Sequence, residues 1–326
     1  MGNKVTRSIL SVVIFLLSSI AVASPVFNAK GENIEIIVPY AVGGGTSNHA
    51  HLVAEMFSDY GWPTVVINRP GGDAVIGANA AARAQPNGRT LMVAATSAMS
   101  ANVAFGATGM EYNEHSFVPV SLLNQFGMVL AVPADSPIKN YEQFKFYIRA
   151  NPEKFNIGFH NGPLSNIFYE WAREENLPRP NIVIYKGSAP MDTDLVGGHI
   201  PFIWDNYTAP LIPLIESGRV RVIATMDSVS LSAIQRIQPN VDVADVSRQH
   251  PDLRFGVYYG LFAPAGTPPQ VVAEMNRVIN QSAKTSKFQK EIVTMGIKNI
   301  GGRPEVLGNL QQRDIQTLKK LPKENR

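Results

Sequence analysis

The sequence contains no cysteine. Disulfides, thiol catalysis and cysteine-ligated metals are therefore excluded, as is a lipid anchor on an N-terminal cysteine. Charge is sparse: 17% of the 326 residues are charged and the net charge is +3. No basic run exceeds a pair, so nucleic acid as a partner has no support. Low-complexity segments and short-period repeats are absent too. Neither Ser97 nor Ser165 carries the flanking glycines of a nucleophile elbow, and no catalytic residue is assigned. His49 and His51 are two apart, so they do not share a helix face, and no third ligand lies near them in sequence. No metal site and no cofactor are expected.

The first 23 residues differ from the rest. Lys4 and Arg7 precede an apolar core from Ile9 to Leu17, and Ala21-Val22-Ala23 fits a small-x-small cleavage site. The apolar run is short for a membrane span. The expectation is an export signal cleaved near Ala23, leaving a chain free outside the cytoplasm; a retained anchor is the alternative. With 45% hydrophobic residues the remainder has ordinary globular composition and length for two domains.

The organising stretch runs from Ile34 to Gly77. Ile34 to Val38 reads as a strand and breaks at a glycine turn, Val42-Gly43-Gly44-Gly45-Thr46-Ser47. Ala50, Val53, Ala54 and Phe57 then recur at helical spacing. Thr64 to Ile67 is a second strand, ending in Asn68-Arg69-Pro70-Gly71-Gly72-Asp73, before a run of helix formers. Two such turns at the ends of neighbouring parallel strands present free N–H groups and helix N-termini. That combination favours an anion, so a carboxylate site built largely from backbone is expected. A dinucleotide site fits poorly. Asn48 stands where its third glycine would be, and Asn68-Arg69 replaces the acid for a ribose hydroxyl.

Strands and helices alternate onwards, which argues for an α/β fold with parallel sheets. Thr90 to Ala95 is a third strand, whose exit offers Thr96 and Ser97. Met128 to Pro133 and Arg219 to Thr225 read as crossings between two units. The expected division is 24–127 with 226–326, and 128–225, joined around a ligand cleft. A proline-containing linker is expected after Thr225, and a strand from Gly256 to Pro264. Tyr141, Phe144, Phe146 and Tyr147 are expected in the core. His160 and Lys186 lie in turns after strands, Ser165 and Ser188 near helix starts, and Asp205 at a strand end.

Several pieces in order resemble the periplasmic solute receptors of tripartite tricarboxylate transporters, the Bug family. They include Ile37-Val38-Pro39-Tyr40 with Gly43-Gly44, and Asn68-Arg69-Pro70-Gly71 with Ile76-Gly77. Pro86 to Leu91, Tyr185-Lys186-Gly187, Gly197-Gly198, Asp205-Asn206 and Gly260 to Pro268 complete the pattern. The resemblance covers the chain from Ile34 to about Gln312. It implies a two-domain periplasmic binding protein, type II-like, that captures a small carboxylate and delivers it to membrane transporter subunits. It also implies that the loops 40–47 and 70–77 hold one carboxylate, and that the second domain selects the rest of the ligand near His160, Ser165, Ser188 and Asp205.

The ligand contacts expected on these grounds are Tyr40, Val42, Gly43, Gly44, Gly45, Thr46, Ser47, Gly71, Asp73, Ala74 and Ile76 on the loops. Thr96, Ser97, His160, Ser165, Ser188 and Asp205 are expected as secondary contacts. Ser47, His51, Asp73 and Ala74 depart from the family's usual acidic residue, arginine and two glycines. Asp73 beside a bound carboxylate would repel it unless it faces solvent or meets a cation, such as a ligand ammonium. A monomer is expected. A sensory receptor and an exported enzyme on the same clamp are the alternative functions.

Overall fold

β-branched runs and glycine punctuation cut the chain into short alternating elements. The computed structural model describes residues 32–160, 162–185, 187–207, 210–250, 257–295, 297 and 300–321. The expected export segment with its cleavage site near Ala23, Lys186, and Gly256 at the head of a strand lie outside these. In chain order the elements are β1 (Ile34–Val38), α1 (Gly45–Asp59), β2 (Thr64–Asn68), α2 (Val75–Ala82) and β3 (Thr90–Ala95). One wide helical turn, Ser97–Ala101, then leads into α3 (Asn102–Phe105), β4 (Phe117–Phe126) and β5 (Met128–Pro133). There follow α4 (Tyr141–Ala150), β6 (Asn156–Phe159), α5 (Ser165–Glu174), β7 (Asn181–Ile184), α6 (Ser188–Val196) and β8 (Phe202–Asn206). The chain continues through α7 (Ile212–Glu216), β9 (Val220–Thr225), α8 (Ser228–Ile237), β10 (Ala244–Asp245) and α9 (Val246–Gln249). It ends with β11 (Val257–Pro264), α10 (Pro269–Ser282), α11 (Ser286–Thr294) and α12 (Pro304–Lys320).

Two sheets result. The first has the order β2-β1-β3-β11-β4, the second β10-β9-β5-β8-β6-β7. Their central strands β1, β3, β5 and β8 are largely buried on both faces, which is why these are apolar at successive positions. In β1, Ile34, Ile36 and Val38 join the core under α1 and α10, whereas Ile37 faces the opposite cluster with Met92 and Leu307. In β5, Leu130 and Val132 pack with Trp204, while Val129 and Ala131 pack with Ile203.

The sheets are mixed where parallel ones were expected. β1 runs parallel to β2 and β3, but β11 is antiparallel to β3 and β4, and β5 is antiparallel to β8 and β9. The antiparallel strands are those that carry the chain into, or back out of, a unit.

The first crossing is tight. Between β4 and β5 only Gly127 intervenes, and a Cβ there would collide with the Asp227 carboxylate. Asp227 is occupied capping α8, accepting from the Ser230 N–H at 2.7 Å. The segment after Thr225 is thus no plain linker: α8 packs Leu231 and Ile234 on the second sheet, and β10 extends that sheet beside β9. Helix α12 straddles both units, with Leu307 and Leu310 in the first core and Leu318 in the second. Phe146 is 75% exposed instead of buried, because Tyr141, Phe144 and Ile148 form the inward face of α4. No helix among the described residues is long and apolar enough to cross a membrane.

Candidate functional site

β1 and β2 are hydrogen-bonded neighbours, and their last residues, Val38 and Asn68, are partners in register. Each strand therefore releases its loop at the same sheet edge. In the first loop Gly43 adopts φ +86°, and Gly44 stands as an extended cap before α1. Neither α1 nor α2 has a side-chain cap on its first turn, and neither carries an acid there. Their leading amides lack the side-chain acceptor that ordinarily closes a helix start.

The loop side chains face two ways. The Tyr40 hydroxyl lies 2.8 Å from Ser97 Oγ, so these two residues meet as one group. Burial raises the Tyr40 hydroxyl above its ordinary range, and the Asp73 carboxylate adds to that shift. Asp73 is thus within electrostatic reach of Tyr40. Asn68 locks the loop, its amide donating to Tyr40 O at 2.9 Å and to Ser47 Oγ at 3.3 Å. Ser47 is fully buried against that amide. Thr46 is buried too, close enough to Tyr259 to act on its hydroxyl. Val42, in contrast, is 75% exposed.

The second loop is a left-handed run: Gly71, Gly72, Asp73 and Ala74 have φ of +126°, +58°, +50° and +76°. Two successive residues with side chains in this region store backbone strain. Asn102 holds them in place by donating to Asp73 O at 2.8 Å. The Val75 N–H bonds to Gly72 O at 3.0 Å and the Ile76 N–H to Gly71 O at 3.3 Å, so those two amides serve the turn itself. The Ile76 side chain is exposed.

The second unit brings a wall from three strand and helix ends: His160 after β6, Ser188 opening α6, and Asp205-Asn206 closing β8. Asp205 is fully buried. Its Oδ1 accepts from the Asn206 N–H at 2.7 Å and from the Ser188 hydroxyl at 2.9 Å. His160 Nδ1 lies 3.3 Å from the same oxygen without the alignment of a hydrogen bond. Its Nε2 accepts from the Asn206 amide at 3.1 Å. Burial lowers the imidazole to about 4, so His160 is neutral at physiological pH. Ser165, at the start of α5, is half-buried.

One residue ties the walls together and was not among those expected. Tyr259 on β11 packs its ring 4.7 Å from His49 and 5.1 Å from Phe126. Its hydroxyl is raised mainly by burial, then by Tyr40 and by Asp205 of the other unit. Tyr259, packed against the first loop, is thus also within electrostatic reach of Asp205. The available signal was its place in a strand leading directly into Gly260-Leu261-Phe262. Thr96 does not join them. It is fully buried, and its Oγ1 accepts from the Tyr258 N–H at 2.8 Å, stapling β3 to β11 behind the site. His49 is buried and donates from Nδ1 to Gly45 O at 2.7 Å, while His51 is exposed.

The family model for the tripartite tricarboxylate transporter family receptor matches residues 42–324. The chain belongs to this receptor family. Among its relatives is the protein BugT of Bordetella pertussis, 25% identical over 94% of each chain. A protein from the tcbD-tcbE intergenic region of Pseudomonas sp. (strain P51) is 28% identical over 94% of this chain and 92% of its own. A solved periplasmic transporter structure is 32% identical with a TM-score of 0.73, covering 88% of this chain and 95% of that one. MatC from Rhodopseudomonas palustris, solved with bound malate, is 25% identical with a TM-score of 0.71, covering 89% and 98%. The two-domain α/β receptor fold that the sequence pattern implied is thus the fold of this chain.

Proposed function

We propose that this chain is an exported receptor, released near Ala23, that captures a small carboxylate between its two units and delivers it to a tripartite tricarboxylate-type membrane transporter. The observation that carries this reading is the pair of helix N-termini without side-chain caps, set side by side by the Val38–Asn68 register. Amides of Val42 to Thr46 and of Gly71 to Ala74 anchor one carboxylate, and Tyr40 with Ser97 lines the space between the loops. The bound malate of MatC and the adipate of another R. palustris neighbour fit that ligand class. Binding is non-covalent, and closure of the two units excludes water and strengthens these contacts.

Asp73, close enough to raise the Tyr40 hydroxyl, favours a second reading within the class, a ligand with an ammonium group. The test is a thermal-shift screen of the chain from Ser24 against mono-, di- and tricarboxylates and amino acids. A ligand that binds only the folded state raises the unfolding midpoint. A shift with carboxylates alone supports the first reading, and a preference for amino acids the second. A folded chain that responds to none of them overturns both.

A further inference from the structure

The second wall rests on a carboxyl that the receptor reading leaves without a role. Asp192 sits one turn into α6, 4% exposed, and neither of its oxygens has a hydrogen-bond donor among the described residues. Its carboxyl is within side-chain interaction range of the fully buried Asp205, whose Oδ2 also lacks a donor. A buried carboxylate without a partner is strongly disfavoured in its charged form. Two of them in contact are sustained only if a cation or a proton lies between them.

The surroundings decide which. β5 faces α6 with Val129 and Ala131, both apolar. β6 contributes His160, neutral in the folded chain, and β11 contributes the Tyr259 hydroxyl. On α6 and β8 the nearby polar groups are Ser188 and Asn206. Asp194, two residues along α6, is bonded to the Tyr185 hydroxyl at 2.8 Å. Among the described residues no lysine or arginine reaches the pair. A proton remains, and both carboxyls are indeed raised, each by burial first and Asp192 also by its neighbour.

We propose that Asp192 is a positioning residue of the ligand site: it carries a proton that it donates to Asp205, which in turn holds the Ser188 hydroxyl on the wall of the second unit. With Asp192 protonated, the pair bears a single negative charge. Asp205 keeps its acceptor role, and the Ser188 hydroxyl, committed as a donor, turns its lone pairs outward. When the pair loses this proton, two buried carboxylates repel, and the helix start that bears Ser188 is pushed from β8. The proposal rests on the receptor reading, and its test separates the two.

The test follows thermal unfolding of the wild type, Asp192→Asn and Asp192→Leu between about pH 5 and 9, without ligand and with millimolar malate. The amide of Asp192→Asn donates permanently, so its malate affinity stays within about twofold of wild type near pH 6 and its decline at higher pH disappears. Asp192→Leu has no donor and loses about tenfold in affinity. Without ligand, wild-type stability relative to Asp192→Asn falls as pH rises from the ordinary carboxyl range through neutrality, because only the folded wild type retains the proton. Groups remote from the pair cancel in that difference, which reads the proton of the pair as a whole. A flat difference profile, or an Asp192→Leu that binds malate as wild type does, overturns the proposal. If Asp192→Leu does not fold, the Asp192→Asn profile decides alone. If no carboxylate stabilises the wild type at any pH, the receptor reading falls and the ligand role of Asp192 with it, while the unliganded profile still decides the shared proton.

Discussion

A Cβ at Gly45 would lie 2.5 Å from the Tyr259 hydroxyl and 3.1 Å from its ring carbon. The glycine turn that starts α1 and the strand that returns from the second unit are therefore interlocked at one point. Gly45 is needed for what stands opposite it and not for its own backbone angle, since it is absent from the positive-φ glycines.

Gly45→Ala should displace Tyr259, costing about 1–3 kcal/mol as an overpacked contact. Ligand affinity should fall with it, since the same ring joins the two walls. The check is a double-mutant cycle with Tyr259→Phe, which removes the nearest atom; a coupling energy above about 0.5 kcal/mol is expected. Additive effects would show that the two residues do not interlock.

Gly44 gives the complementary case. A Cβ there meets only Ala41 O at 3.7 Å, and its φ of −76° suits any residue. Gly44→Val should leave the unfolding midpoint within about 0.5 kcal/mol of wild type while its branched side chain blocks approach to the loop amides. Calorimetric titration with a carboxylate identified by the screen should show binding lost. Unchanged affinity would remove the carboxylate from this loop.

Asp73→Gly relieves a left-handed residue and removes a negative charge beside Tyr40. Stability should rise by about 1 kcal/mol. Affinity for a simple carboxylate should rise about fivefold, the scale of one partly screened like-charge contact. For an ammonium-bearing ligand the sign reverses, so the direction of the change reports what Asp73 faces.

His49 is buried and its imidazole is lowered to about 4 by that burial. The unfolded chain takes up this proton near 6.5, so stability is present above that pH and is lost as pH falls towards 4. The loss between pH 7 and 5 should be about 2 kcal/mol. His49→Leu should remove that share of the acid sensitivity, read as the difference between the two denaturation profiles, in which the oppositely directed buried aspartates cancel. Equal slopes would place His49 in a solvated environment.

The local rules by themselves determined the element order around the loops. Apolar strand runs, glycine turns and helix spacing between Ile34 and Gly77 place two helix starts beside two parallel strand ends, because each depends on neighbours within a few residues. The family pattern was legible for the same reason, as motifs in fixed order. Tertiary structure alone decided the rest. Whether β5 and β11 run antiparallel depends on where each crossing re-enters its sheet, and whether residues 226–249 join the second sheet depends on Asp227 meeting Gly127. Ser47 and Thr96 carry the same hydroxyls as Ser97 and Ser188, but the helical turns in which they stand direct these two to Asn68 and Tyr258. The meeting of Tyr259 with the loops, and of Asp192 with Asp205, joins residues far apart in sequence or on different elements, and only the folded packing, which sets burial and charge together, brings them into contact.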